Sequence, residues 1–263
     1  MTTYNKKIIM PLADIGDGGK STTLIATAAG LEAQGKQFSK FEADKDHHTF
    51  FDTFSAKNKN GEPKAEQDSE TGCVQIDINN DPQKIADTVA AEYENVLVDT
   101  PARSITAVLG AFGVDGTQLF FDTLAYNNAA PYFLYPWIDD DKSVEGIDKL
   151  YQNLDGLDFG GYEVGFVINV IVCMNNGLMN ASSKSMPAQA LAAFQKSITI
   201  KAMQNDPRFN VQVVNLRTQL TQHAINALKG KTIQAALTEK LEPSTRTLLM
   251  SLLNDGKNIA KLI

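Results

Sequence analysis

Residues 8–29, IIMPLADIGDGGKSTTLIATAA, pass from an apolar stretch through a cluster of glycines into a helical pattern with almost nothing between. A chain that turns from strand to helix over so few residues builds a β–loop–α unit, the repeating piece of sheets covered by crossover helices. Gly16, Gly18 and Gly19 lack a Cβ, so the loop can present its N–H groups to one side, where the N-terminus of the next helix adds its own. Such a concavity suits an anion. In this pattern Lys20 neutralises the outer phosphates of a nucleoside triphosphate and Ser21 reaches Mg²⁺. The strict form G-x-x-x-x-G-K-[ST] is not met, because Asp14 occupies the place of its first glycine.

Strand-like and helix-like segments alternate along the rest of the chain. Strands are expected at KIIMPLA, QFSKFEA, CVQIDI, NVLVDT, PYFLYPWI, YEVGFVINVIVCMN and VQVVNL. That makes an α/β fold with a mostly parallel, twisted sheet of about seven strands flanked by helices. The first helix spans about 20–34 and is stopped by Gly35; another opens at Pro82. Residues 102–129 read as helix interrupted by Gly110, Gly113 and Gly116, and PAQALAAFQKSITIKAMQN reads as one helix. Residues 56–72, AKNKNGEPKAEQDSETG, lack apolar periodicity and read as a long exposed loop or a mobile insertion. No linker divides the chain, so residues 1–263 are expected to form one domain, with a helical C-terminal part from about 218 that restarts at Pro243.

Charge narrows the class of partner. The net charge of −7 disfavours general affinity for nucleic acid, yet residues 196–263 hold ten Lys and Arg against four Asp and Glu. That balance of +6 leaves −13 for residues 1–195 and makes the C-terminal third a candidate DNA-contacting face, although its dispersed lysines equally suit solvated helices. Cys73 and Cys173 lie in separate apolar runs and read as buried free thiols. IIMPLA is too short for a signal segment or a membrane span, which points to the cytoplasm. The leucine-bearing end, TLLMSLLNDGKNIAKLI, is interrupted by Gly256 and is expected to pack on the domain rather than on a membrane.

Two acidic strand ends complete a candidate centre. In VLVDTPA an apolar strand delivers Asp99 to its carboxyl end, where open α/β sheets bind ligands, so Asp99 is placed to hold Mg²⁺ through water. In FEADKDHHTF the second strand ends on Glu42, Asp44 and Asp46. Phosphoryl transfer asks mainly for positioning and charge neutralisation, so one carboxylate suffices to orient water; Asp44 is preferred, with Asp46 as the alternative. His47 and His48 are adjacent, which is poor geometry for one metal. No G-x-S-x-G elbow supports a hydrolase triad.

GDGGKST, the acidic EAD after strand two and VLVDTPA together resemble the partition ATPase (ParA/MinD-like) family, P-loop ATPases with a deviant Walker A motif. The resemblance spans about residues 8–175 and is nearest to plasmid stability and conjugal-transfer members, which share a Thr-Phe pair like Thr49-Phe50. It implies a Rossmann-like P-loop NTPase fold and a nucleotide-binding segment of Gly16, Asp17, Gly18, Gly19, Lys20, Ser21 and Thr22, with ATP and Mg²⁺ as cofactors. It further implies Lys20 and Asp44 as catalytic residues, Ser21 and Asp99 at the metal, and a base-reading asparagine at the end of strand six, for which Asn169 and Asn175 compete. A nucleotide-dependent homodimer and a partner protein of a plasmid partition or transfer system follow from it too. One departure stands out: the family's signature lysine, five positions before the phosphate-loop lysine, is Ile15 here. Slow hydrolysis is therefore expected from an ATP-binding switch, since an isoleucine cannot stabilise charge on a transferring phosphoryl group. The competing readings are a small-molecule kinase or ligase, with residues 56–72 closing over an acceptor, and an adaptor with a vestigial nucleotide site.

Overall fold

Alternation of side chains along buried strands dictates two apolar layers, and the computed structural model, which describes residues 4–14, 18–109, 113–138, 140–159, 166–177, 179 and 187–263, has both. Strands β1 (Lys6–Pro11), β2 (Phe38–Glu42), β3 (Val74–Gln75), β4 (Asn95–Asp99), β5 (Ala129–Trp137), β6 (Ile168–Asn175) and β7 (Phe209–Leu216) form one sheet in the order β3-β2-β4-β1-β5-β6-β7. Every neighbouring pair is parallel. Ile8, Met10, Val96, Val98, Val170 and Val172 face one layer; Ile9, Leu97, Ile171 and Cys173 face the other. Burial on both sides explains why these strands read as continuous apolar runs.

Helices α3 (Gln83–Asp87), α4 (Gly113–Tyr126), α5 (Asp140–Asp155), α6 (Pro187–Lys196) and α7 (Ile198–Asn205) supply the first layer. The second holds α1 (Lys20–Ala33), α2 (Thr49–Phe54), α8 (Gln222–Leu228), α9 (Ile233–Leu237) and α10 (Pro243–Ala260). The expected single helix over 187–205 is two, because Ser197 leaves helical geometry and its hydroxyl accepts the Ile200 N–H as the N-cap of α7. The third strand is shorter than its apolar pattern implied, and the sixth begins at Ile168; residues 162–165 of its expected span, like Gly110, lie outside the described residues.

Residues 56–72 form the long loop expected of them, exposed throughout 58–66, and hydrogen bonds of its own side chains hold it together. The Gln67 side chain accepts the Ala56 N–H at 2.8 Å and donates to the carbonyls of Ala56 and Lys64, closing the loop on itself. Lys40 ties that loop to β2, its N–H donating to Ser69 O and its ammonium to Glu70 O. Turn-forming composition here encodes a hydrogen-bonded Ω-type loop.

The C-terminal leucines pack inward, with Leu249, Leu252 and Ile259 buried in the layer that contains α1. Helices α1 and α10 cross at Gly30 and Gly256, so closely that a methyl on Gly30 falls on the Gly256 carbonyl and one on Gly256 falls on the Ala26 carbonyl. Gly256, an interruption in sequence terms, is what lets the helix dock. Gly256→Ala is expected to lower the melting temperature by about 5–10 °C, the response to roughly 2–3 kcal/mol of overpacking. Gly156→Ala, with nothing within 4 Å of the new methyl, should shift it by no more than about 1 °C. Equal shifts in scanning calorimetry contradict the crossing.

Candidate functional site

The carboxyl ends of β1 and β4 meet where the chain's progress across the sheet reverses, the place at which α/β sheets hold ligands. A cleft of about 560 Å³ opens there. Its floor is Gly18, Gly19, Lys20, Ser21 and Thr22. Gly19 caps α1 in the left-handed region (φ 78°), a conformation that favours glycine, and a Cβ on it would meet Asn175 Nδ2 at 2.7 Å. The N-terminus of α1 has no side-chain cap and no acidic residue in its first turn. Its leading N–H groups and positive dipole end are thus offered to the cleft, and Lys20 lines the same cleft. Gly16 and Asp17, and the Ile15 beside them, lie outside the described residues.

Above this floor stand buried carboxylates. Asp99 ends β4 fully buried; Oδ1 accepts the Thr100 N–H at 3.0 Å, while Oδ2 has no hydrogen-bond partner among the described residues. Burial pushes its carboxyl up to about 7, against the opposing pull of the Ser21 hydroxyl, the Thr100 N–H and the Lys20 charge. Glu42 pairs with Asp99 in the β2–β4 register. Its oxygens accept the Asp44 and Phe51 N–H groups at 2.9 and 3.2 Å, yet burial first and the Asp99 charge second push it up to about 9. Asp44 is buried at the cleft edge and fixed by the N–H groups of Asp46 and His47, which donate to its Oδ1. Asp46 is exposed and absent from the lining.

A buried acidic oxygen and a hydroxyl are the kind of oxygen donors that suit a hard divalent cation that keeps most of its waters and binds with phosphates, while the neighbouring Lys20 charge suits the phosphates themselves. Among the described residues no three His, Cys, Asp or Glu side chains form a metal-holding cluster. A cation of this kind would draw its protein oxygens from Ser21 and Asp99, which interact with each other.

The cleft is also lined by Asn175, Thr218, Gln219, Leu220 and Ile225. Asn175 lies at the carboxyl end of β6, whereas Asn169 lies at the opposite end, where its side chain bonds Asn210 and the Pro131 carbonyl. The structure thus brings Asn175, and not Asn169, to the phosphate-loop residues. Residues 218–220, uncharged and without periodicity, carried no signal in the sequence. His47 and Thr49 also line the cleft, while His48 pairs with Gln75, and residues 56–72 contribute nothing to the lining. Asp14 has its own partners: its carboxylate meets the Lys149 ammonium from α5 and the Thr106 N–H and hydroxyl. Burial works to raise its carboxyl, but these bonds outweigh it and hold the group below its ordinary range. Cys73 and Cys173 are free and buried, and burial pushes both thiols up.

No protein-family model matches this chain, and no curated protein matches it in sequence. Solved structures do match its fold. A ParA-family ATPase from Chlorobium tepidum TLS superimposes with a TM-score of 0.51 at 10% identity, covering 95% of this chain and 99% of that one. The septum site-determining protein MinD from Pyrococcus horikoshii OT3, solved with Mg-ADP, gives 0.50 at 14% identity and 97% of each chain. This chain has the fold of the ParA/MinD-like P-loop ATPases, with the seven-stranded parallel sheet expected from its sequence.

The raised carboxyls make stability depend on pH. Unfolded, Glu42 ionises near 4.5; folded, it keeps its proton up to about 9, so the native state binds more protons throughout that window. The contribution of Glu42 to stability is fully present below pH 4.5 and is lost as pH rises toward 9. The ligand-free protein should melt several degrees lower at about pH 9 than at about pH 5, and Glu42→Gln should flatten that slope. An unchanged slope in Glu42→Gln shows that Glu42 is ionised in the native cleft.

Proposed function

We propose that this chain is an ATP-binding, weakly hydrolysing nucleotide switch of the ParA/MinD-like type, acting in plasmid partition, stability or conjugal transfer. The observation that carries the reading is the uncapped α1 N-terminus opening on one cleft with Lys20 and Ser21, both of which interact with fully buried Asp99, whose Oδ2 has no hydrogen-bond partner among the described residues. Residues 1–263 act as one nucleotide-binding domain, a reading supported by the docking of α10 on α1. Residues 16–22 cradle the phosphates, Thr22 lies near the α-phosphate, and Asn175 reads the base. Ser21 and Asp99 hold Mg²⁺, which when bound screens the negative charge of the phosphates.

Asp44 orients the attacking water: two backbone N–H groups lock its Oδ1, leaving the carboxylate fixed at the cleft edge. Lys20 is the only lysine or arginine among the described lining residues. With Ile15 at the signature position, charge stabilisation in the transition state is thin and turnover is slow. Such a protein works through states, changing its dimerisation or its contacts with a partner protein as nucleotide changes. The site is cytoplasmic, and among the described residues no helix is long and apolar enough to cross a membrane. DNA contact, where it occurs, falls to exposed lysines of the basic C-terminal third; Lys231 and Arg246 are less available, being engaged with Glu239 and local carbonyls.

Titration calorimetry with Mg-ATP is expected to give binding for the native chain and none for Lys20→Ala. Binding that survives Lys20→Ala overturns the cradle assignment. Asp44→Asn should retain ATP affinity within about threefold while phosphate release falls by about a hundredfold, the usual worth of a positioned proton acceptor. Equal turnover by this variant removes Asp44 from the mechanism.

A further inference from the structure

Past the last β6–β7 pair, Asn175 with Leu216, the chain turns across the cleft and loses its sheet partner. Its N–H groups need another acceptor, because unpaired backbone donors in a buried position are costly. Asp255 provides it. From α10, 4% exposed, its Oδ2 accepts the N–H groups of Arg217 and Thr218 at 2.9 and 3.0 Å. The Thr218 hydroxyl adds a bond to Ser251, one turn earlier on α10, at 2.7 Å. The Arg217 carbonyl is pressed against the turn after β6, where a Cβ on Gly177 sits 2.6 Å from it.

The next residue on α10 is Gly256, whose backbone rests on Ala26 and Gly30 of the phosphate-loop helix. Adjacent residues of one helix thus fix both walls: Gly256 seats α1, and Asp255 seats the segment carrying Thr218, Gln219 and Leu220. Among the described lining residues the one lysine is Lys20, at the start of α1. The lining residues from 218–225 and Asn175 carry no charge, mixing Leu220 and Ile225 with the amide and hydroxyl groups of Asn175, Thr218 and Gln219. That chemistry accommodates a flat heterocycle with polar edges.

The geometry points to Asp255 as a positioning residue that holds the 217–220 wall in place and so makes the cleft prefer a nucleoside triphosphate to bare triphosphate. The inference deepens the nucleotide-switch reading and rests on it. A carboxylate accepting two backbone N–H groups is stronger than a neutral acceptor, so removing it releases the wall without touching the phosphate floor.

The test compares Mg-ATP with Mg-tripolyphosphate by titration calorimetry on the full chain. Asp255→Ala should weaken ATP binding about tenfold, the loss expected when one charge-assisted bonding site goes. Tripolyphosphate affinity should stay within about twofold, because its contacts lie on the α1 wall. Asp255→Asn, which keeps an acceptor oxygen, should recover much of the loss. Ser251→Ala, a change too small to threaten folding, should weaken ATP alone and less. A merely structural role lowers both affinities together and overturns the proposal, as does a set of variants in which neither affinity changes. If the native chain binds tripolyphosphate as tightly as ATP, the phosphate cradle stands and the wall's role falls. If it binds neither, the nucleotide reading and this inference fall together.

Discussion

The backbone contact between α1 and α10 holds the rest of the molecule in register. Small residues at Ala26, Gly30 and Gly256 let the two helices approach without intervening side chains, and the buried leucines of α10 close over the junction. Close-packed contacts of this kind are stiff, so a helix seated by them is a fixed reference. The α1 N-terminus is consequently held against the sheet at the carboxyl ends of β1 and β4, which is where an anion site must be rigid to be selective. The crossing also places Asp255 against the segment after β7.

Against this stiff frame stands a deliberate electrostatic imbalance. Glu42, Asp44 and Asp99 are buried near one another, with Lys20 the neighbouring cation that draws Asp99 back toward ionisation. Desolvation and mutual repulsion leave Glu42 and Asp99 reluctant to ionise, a condition that costs stability in the empty protein at neutral pH. Strongly perturbed carboxyls cluster at functional sites, and these two lie next to Lys20, Ser21 and Asp44 of the cleft lining.

Much of this was legible in the residues because it rests on local patterns. Apolar runs bounded by turn formers marked the strands, since burial on both faces leaves no polar alternation to confuse them; Gly19, Lys20 and Ser21 stood out because a tight strand-to-helix turn around an anion admits few residue types. What could not be read is non-local. Glu42 gains its raised carboxyl only from the β2–β4 register that sets it beside Asp99, and Asn175 separates from Asn169 only once β6 has ends. Gln67 looks like any surface glutamine until its amide closes a loop, and Asp255 looks solvated until the helix beneath it docks. Asp14 read as a lost glycine, whereas its bonds to Lys149 and Thr106 join the start of the phosphate loop to α5 and to the segment after Asp99.

The central claim is that one cleft holds a nucleoside triphosphate with its metal at Ser21 and Asp99. A crystal structure with a nonhydrolysable ATP analogue and Mg²⁺ tests it most directly. The account predicts phosphates on the N–H groups of residues 18–22, Mg²⁺ at the Ser21 hydroxyl with Asp99 Oδ2 facing its shell, and the base between Asn175 and residues 218–220. An analogue bound elsewhere, or a metal seated away from Ser21 with Asp99 Oδ2 still unpartnered, contradicts it.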